Sequence, residues 1–203
     1  MILKSDQIAR ELEKPTSPDD PFIITPMPNL DELRNSGSAA LDMRLGCWFL
    51  ACRQTRIGLL DIYDNSAKLP SEATLTKSYY VPFGEAFVLH PKSFVLGVTL
   101  EWIRLPGDRA AYVVGRSSWG RYGLIIATAT GVHPGFTGCL TLELSNIGEV
   151  PIRVKPGTRI CQIFLHKVET GEHKLADRSP FIGKRKPTLG AIELDETARR
   201  LAI

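Results

Sequence analysis

Between Tyr79 and Lys167 the sequence is cut into short apolar runs by turn-forming residues. The breaks are Pro82-Phe83-Gly84, His90-Pro91, Pro106-Gly107, Pro134-Gly135 and Pro156-Gly157. The runs between them are Tyr79–Val81, Ala86–Leu89, Phe94–Arg104, Ala110–Val114, Leu124–Ala129, Gly138–Ser145, Ile152–Val154 and Arg159–Lys167. Proline removes a backbone donor and fixes φ, and glycine opens the left-handed region, so a helical reading is broken repeatedly while short strands are allowed. Many short strands joined by such turns predict a mainly β fold, a distorted barrel or double-sheet jelly roll, with a few short helices.

The flanks fit that frame. Ser5 is placed to cap a helix reaching about Lys14, with Asp6 in its first turn, Pro15 ending it, and Ile2, Ile8 and Leu12 as its packed side. A second short helix is expected near Leu30–Arg34. Ser38–Gly46 alternates as a strand, with Leu41, Met43 and Leu45 on one face and Asp42 and Arg44 on the other, and Cys47–Leu60 reads as its hairpin return. Asp61–Pro70 reads as a surface loop. The tail carries Arg178, Lys184, Arg185 and Lys186 around two prolines, and a short helix is expected to close the chain at Glu193–Ile203, with Leu194, Ala198 and Leu201 on one face.

At 203 residues the chain fits one domain, 1–203, with about 170–203 as a tail or lid. A net charge of +3 without a dense Lys/Arg run argues against a nucleic-acid partner. No segment has the length of a membrane span, and the N-terminus has no signal-peptide pattern. The four cysteines form no C-x-x-C pair and read as free thiols of a cytoplasmic protein.

Two stretches carry chemistry. In Gly138–Ser145, Cys139, Thr141 and Glu143 share a face opposite Leu140, Leu142 and Leu144. A carboxylate confined on such a strand is costly unless paired, so Glu143 is either a reactive acid or one held in a structural ion pair or in water. The turn Gly115-Arg116-Ser117-Ser118, followed by Arg121, brings hydroxyls, backbone N–H groups and guanidinium groups together, which suits phosphate oxygens or a carboxylate. It is equally readable as an ordinary turn. The signatures of a zinc base deaminase (His-x-Glu with Pro-Cys-x-x-Cys), a G-x-S-x-G hydrolase and a P-loop are all absent. The four histidines have no cysteine pair to complete a zinc site.

Taken in order, SAALDMRLG, FGEAFVLHPKSFVLGVTLEWIRLP, GRSSWGRYGL, HPGFTGCLTLEL and KPGTRICQIF resemble the dCTP deaminase branch of the dUTPase-like superfamily, from the first residues to about Leu165. The resemblance implies a homotrimer with active sites between subunits. It also implies zinc-independent hydrolysis of dCTP to dUTP and ammonia, with Mg2+ bound to the triphosphate. Glu143 matches the catalytic base that activates water for attack on cytosine C4, and Ser117 and Arg121 match residues supporting it. Arg116, Ser117 and Ser118 match the triphosphate turn, and Thr128 and Ala129 match the segment that holds base and water. Thr141 and Leu142 precede the acid in the strand that the resemblance makes a wall of the pocket, Gln162 matches a superfamily glutamine, and Lys184 matches a lid lysine. Three departures stand out: His133 replaces the aspartate that contacts the sugar, the run from Gly123 to Thr128 is one residue short, and Thr188 stands where a lid glutamine is expected. Beside the deaminase reading stand a bifunctional enzyme forming dUMP, a dUTPase, and a nucleotide sensor with little turnover.

Overall fold

The computed structural model describes residues 1–53, 55–61, 70–129, 131–169, 181–190 and 200–201. Its elements are, in order, α1 (Ser5–Glu13), β1 (Ile23–Thr25), α2 (Leu30–Asn35), β2 (Leu41–Arg44), β3 (Trp48–Cys52), α3 (Glu72–Leu75), β4 (Thr76–Tyr80), β5 (Phe87–Leu89), β6 (Phe94–Arg104), β7 (Arg109–Gly115), α4 (Ser117–Gly120), β8 (Leu124–Ile126), β9 (Gly131–Val132), β10 (Thr137–Asn146), β11 (Ile152–Val154) and β12 (Arg159–Lys167). The fold is mainly β, as the turn spacing predicts. Most of the proposed loop at 61–70 and of the C-terminal helix at 193–203 lies outside the described residues.

The strands form three sheets that do not close into a barrel. The largest runs β4-β3-β6-β10-β8, with β1 also on β6; a second runs β2-β12-β7-β9; β11 and β5 make a third. A single apolar cluster joins Met43 and Leu45, Phe49 of β3, Ile103 of β6, Val113 of β7, Leu142 and Leu144 of β10, and Ile163 of β12. Among the described residues no helix is long and apolar enough to cross a membrane.

Two local expectations are corrected. The cap of α1 is Lys4, not Ser5: the Lys4 amide donates to Gln7 Oε1 at 3.0 Å. Ser5 is buried, its amide tied to Ser38 O at 2.8 Å, so it begins the helix instead. Ile8 and Leu12 are buried as expected, but Ala9 completes the face and Ile2 is exposed, bridged to His166.

The second correction concerns β2 and β3, which are not a hairpin. β2 pairs with β12, whereas β3 pairs with β4 and β6. The chain changes sheets at Leu45–Gly46, where a Cβ on Gly46 would stand 3.0 Å from the carbonyl oxygens of Val98 and Thr99. That approach, with the Gly46 amide bonded to Val98 O at 2.7 Å, carries the chain across β6.

The strand that bears the candidate acid follows its pattern closely. Along β10, Gly138, Leu140, Leu142, Leu144 and Asn146 are buried, and Thr137, Cys139, Thr141, Glu143 and Ser145 are half-buried on the other face. β8 flanks β10 only through Leu144, Ser145 and Asn146. The expected strand Leu124–Ala129 therefore ends early. Ala127 N still donates to Glu143 O at 2.9 Å, and the Thr128 hydroxyl accepts from Glu143 N at 3.0 Å. A side chain thus closes the ladder where the shortened strand stops.

Candidate active site

The half-buried face of β10 opens on a cavity of about 390 Å3. Its polar side is made by Glu143, Thr141, Thr128 and His133, with Ala129 beside them. Its apolar side comes from Phe94, Leu96, Val132 and Phe136 and, from the tail, Phe181, Ile182 and Leu189. Thr188, also from the tail, lines it too. An apolar chamber of a few hundred cubic ångströms with a few convergent polar groups is the usual form of a small-molecule site.

Glu143 is fixed by its backbone. Its carbonyl accepts from Ala127 N, its amide donates to Thr128 Oγ1, and its Cα lies opposite Leu96 of β6. Its carboxylate makes no hydrogen bond or ion pair among the described residues. Glu101 of β6 is the contrast. It is 2% exposed and accepts from Arg44 twice, from the backbone amide at 2.8 Å and from Nε at 2.6 Å. Glu101 is thus the acid of its sheet that is held in a structural ion pair, and Glu143 keeps its lone pairs free in a cavity. Sequence reasoning passed over Glu101, although a lone acid within the eleven-residue run of β6 carried the signal.

Leu142 faces the core and meets the cavity only through the strand. Cys139 lies on the cavity face, and burial pushes its thiol up from the usual value, helped by Glu101 and opposed by the Arg185 charge. His133 stands at the exposed rim, with its carbonyl accepting from Phe136 N at 3.2 Å.

Arg116, Ser117, Ser118 and Arg121 do not line this cavity. α4 begins at Ser117 and is a single turn, closed by Gly120 N and Arg121 N bonding to Arg116 O and Ser117 O. Trp119 anchors it through Nε1 to Arg159 O at 3.1 Å. The hydroxyls of Ser117 and Ser118 and the guanidinium of Arg121 are exposed and make no bond among the described residues.

Arg116 turns inward. Its Nη1 lies 2.5 Å from Asp42 Oδ1 without the alignment of a hydrogen bond. Gln162 Nε2 donates to the same oxygen at 2.9 Å. Gln162 and Asp42 belong to a second cavity of about 320 Å3, walled also by Arg44, Glu101 and Arg159. The predicted residues thus form two groups. Glu143, Thr128, Ala129, Thr141 and His133 make one, and the α4 turn with Arg116 and Gln162 makes the other. Lys184 is exposed, and only its backbone reaches β10, accepting from Cys139 N at 2.9 Å. Among the described residues no three His, Cys, Asp or Glu side chains converge to hold a metal ion.

Residues 2–168 match the family model described as dCTP deaminase-like. The chain belongs to that family. A relative from Dictyoglomus thermophilum, named dCTP deaminase, dUMP-forming, is 38% identical over 200 residues, 96% of each chain. One of the same name from Methanobrevibacter smithii is 34% identical over 96% of this chain and 97% of its own. A Halorubrum lacusprofundi protein named dCTP deaminase is 39% identical over 73% of this chain and 71% of its own. Among solved structures, the 2'-deoxycytidine 5'-triphosphate deaminase of Agrobacterium tumefaciens superposes with a TM-score of 0.57 at 22% identity. That match covers 81% of this chain and 46% of the longer one, and it shows the shared fold.

Proposed function

We propose that this protein hydrolyses dCTP at cytosine C4 and carries the product on to dUMP. The observation that carries the reading is the unpaired carboxylate of Glu143, held by two backbone bonds in an apolar cavity. A general base needs lone pairs free of competing donors and a fixed position within reach of its proton. Glu143 takes a proton from water and delivers it to the ring nitrogen as hydroxide adds to C4; it then moves the proton of the new hydroxyl to the amine, so that the C4–N bond breaks, ammonia leaves and the C4 carbonyl forms. The balance is dCTP and water giving dUTP and ammonia. The Thr128 hydroxyl, bonded to Glu143 N, fixes the backbone of the base.

The Ser117, Ser118 and Arg121 groups, with the N–H groups at the start of α4, suit the triphosphate. They are hydroxyls and cations rather than carboxylates, so Mg2+ would arrive on the nucleotide and supply charge neutralisation there. Because these groups stand apart from the Glu143 cavity, the complete site is built from two copies, in a homotrimer. The exposed apolar side chains Tyr112 and Val114 of β7 and Tyr122 after α4 support a second copy covering this face.

The dUMP-forming reading over deaminase alone rests on the names of the full-length relatives at 34–38% identity. It requires a second water to attack the α-phosphate and release pyrophosphate. The test incubates the protein with Mg2+ and dCTP, dUTP, CTP or dCMP and resolves products by chromatography. Ammonia with dUMP and pyrophosphate is expected from dCTP. Ammonia with dUTP alone would reject the second step, and no ammonia from any cytosine nucleotide would reject the whole reading.

A further inference from the structure

The tail segment 181–190 is fastened to the body at points that the proposed reaction does not use. β10 is flanked by β8 only over its last residues, which leaves the backbone of 137–139 open on that side. The tail fills the gap: Gly183 N donates to Thr137 O at 2.6 Å, and Cys139 N donates to Lys184 O at 2.9 Å. Gly138 lies between them at φ 144°, and a Cβ there would stand 3.1 Å from Lys184 O. Two residues on, the Lys186 ammonium sits 3.8 Å from the centroid of the Trp48 ring, which leans on Tyr80 at 5.0 Å. Pro187 is buried. Leu189 N then donates to Glu72 Oε2 at 2.7 Å, and Gly190 lies against the Phe181 ring. Between these anchors, Phe181, Ile182, Thr188 and Leu189 form one wall of the Glu143 cavity.

We propose that the Lys186–Trp48 stack is a clasp that positions this wall. Trp48 and Lys186 are positioning residues for the reaction and do not touch its atoms. The clasp's part in turnover rests on the nucleotide reading above; its part in holding the tail does not. The two backbone bonds and the cation seated on the ring face are of similar net strength, so removing the cation measurably shortens how long the segment stays. A contact of this kind corresponds to about a 2–5-fold change in an equilibrium constant.

The test is amide hydrogen exchange of the full chain at Gly183 and Cys139, the donors of the two bonds between tail and β10, in Lys186→Met, Lys186→Arg and Trp48→Leu. Exchange about 2–5 times faster is expected in Lys186→Met and Trp48→Leu, with Lys186→Arg near wild type and β12 unchanged. In parallel, KM for dCTP is expected to rise by about the same factor in Lys186→Met, with kcat held and Lys186→Arg restoring it. Unchanged exchange in Lys186→Met, an exposed substitution that leaves the core intact, overturns the clasp. Faster exchange with unaltered KM overturns its positioning of the wall. If the wild type turns over no cytosine nucleotide, the reaction has failed while the exchange data still decide the clasp.

Discussion

Glu143 and Glu101 stand on adjacent strands and differ in what surrounds their oxygens. Glu101 is satisfied by Arg44; Glu143 is satisfied only at its backbone. Glu143→Gln keeps size and hydrogen-bonding capacity but cannot take a proton. Turnover of dCTP is expected to fall by about 10²–10⁴-fold while thermal unfolding and nucleotide binding stay near wild type; a retained rate would remove Glu143 from the mechanism. Thr128→Val keeps the shape but leaves Glu143 N without its acceptor. It should cost about 1–2 kcal/mol in denaturant unfolding and lower kcat, and an unchanged stability would show that water replaces the hydroxyl. Cys161 in β12 is fully buried, and burial pushes its thiol up to about 12, with Glu101 and Asp42 adding to the shift. The unfolded chain releases that proton near 9.0, the folded chain only near 12. Between those values the unfolded state binds fewer protons, so stability falls as pH rises, by about 1.4 kcal/mol per pH unit from this group. Cys161→Ala should flatten the alkaline slope of unfolding free energy; an identical slope in both proteins would assign it to other groups.

Among the elements, β10 and the turn that follows it bear most on the site. Asn146 is fully buried where β10 ends, and its Nδ2 donates to Leu89 O and Val150 O while Oδ1 accepts from Gly148 N, all at 2.9 Å. One side chain thus ties β10 to β5 and to the turn before β11. Asn146→Ala would leave the buried Leu89 carbonyl and two partly buried turn groups, Val150 O and Gly148 N, without this partner, so a loss of about 2 kcal/mol is expected, read by urea unfolding; a loss under about 0.5 kcal/mol would mean all three find other partners. The alternation of β10 was legible because a period of two needs only neighbours along the chain, and the bounds of β6, β11 and β12 were legible because turn residues announce them. The pairing of β2 with β12 rather than β3 was not legible, since partners 120 residues apart, such as Asp42 and Gln162, leave no local trace. The tail's place on β10 was hidden for the same reason. Its basic run reads as a solvated stretch until Trp48 and the open edge at 137–139 are placed beside it.

At the scale of the whole molecule, the two groups of candidate residues lie on separate parts of the surface. The ordered motifs announced both groups; that they stand apart within one chain is a matter of which residues line the Glu143 cavity, and sequence order carries no such distance. The α4 turn carries exposed hydroxyls and Arg121, and Tyr112, Val114 and Tyr122 are exposed apolar side chains of β7 and the residues after α4, whereas the Glu143 cavity holds the acid without a partner cation among the described residues. If the reacting site is completed across copies, two inactive variants should repair each other. Glu143→Gln supplies an intact α4 turn, and Arg121→Ala supplies an intact acid. In randomly mixed cyclic trimers, each ordered contact draws the acid from one copy and the arginine from its neighbour independently. Both are correct with a probability of one half each, so about a quarter of the sites regain both groups. Denaturing and refolding the variants together at equal ratio should therefore restore about a quarter of wild-type dCTP turnover, while each refolded alone stays inactive. If the mixture gains nothing although mixed assemblies form, then acid and arginine serve within one chain, and the segment linking β8 to β10 must move to bring them together.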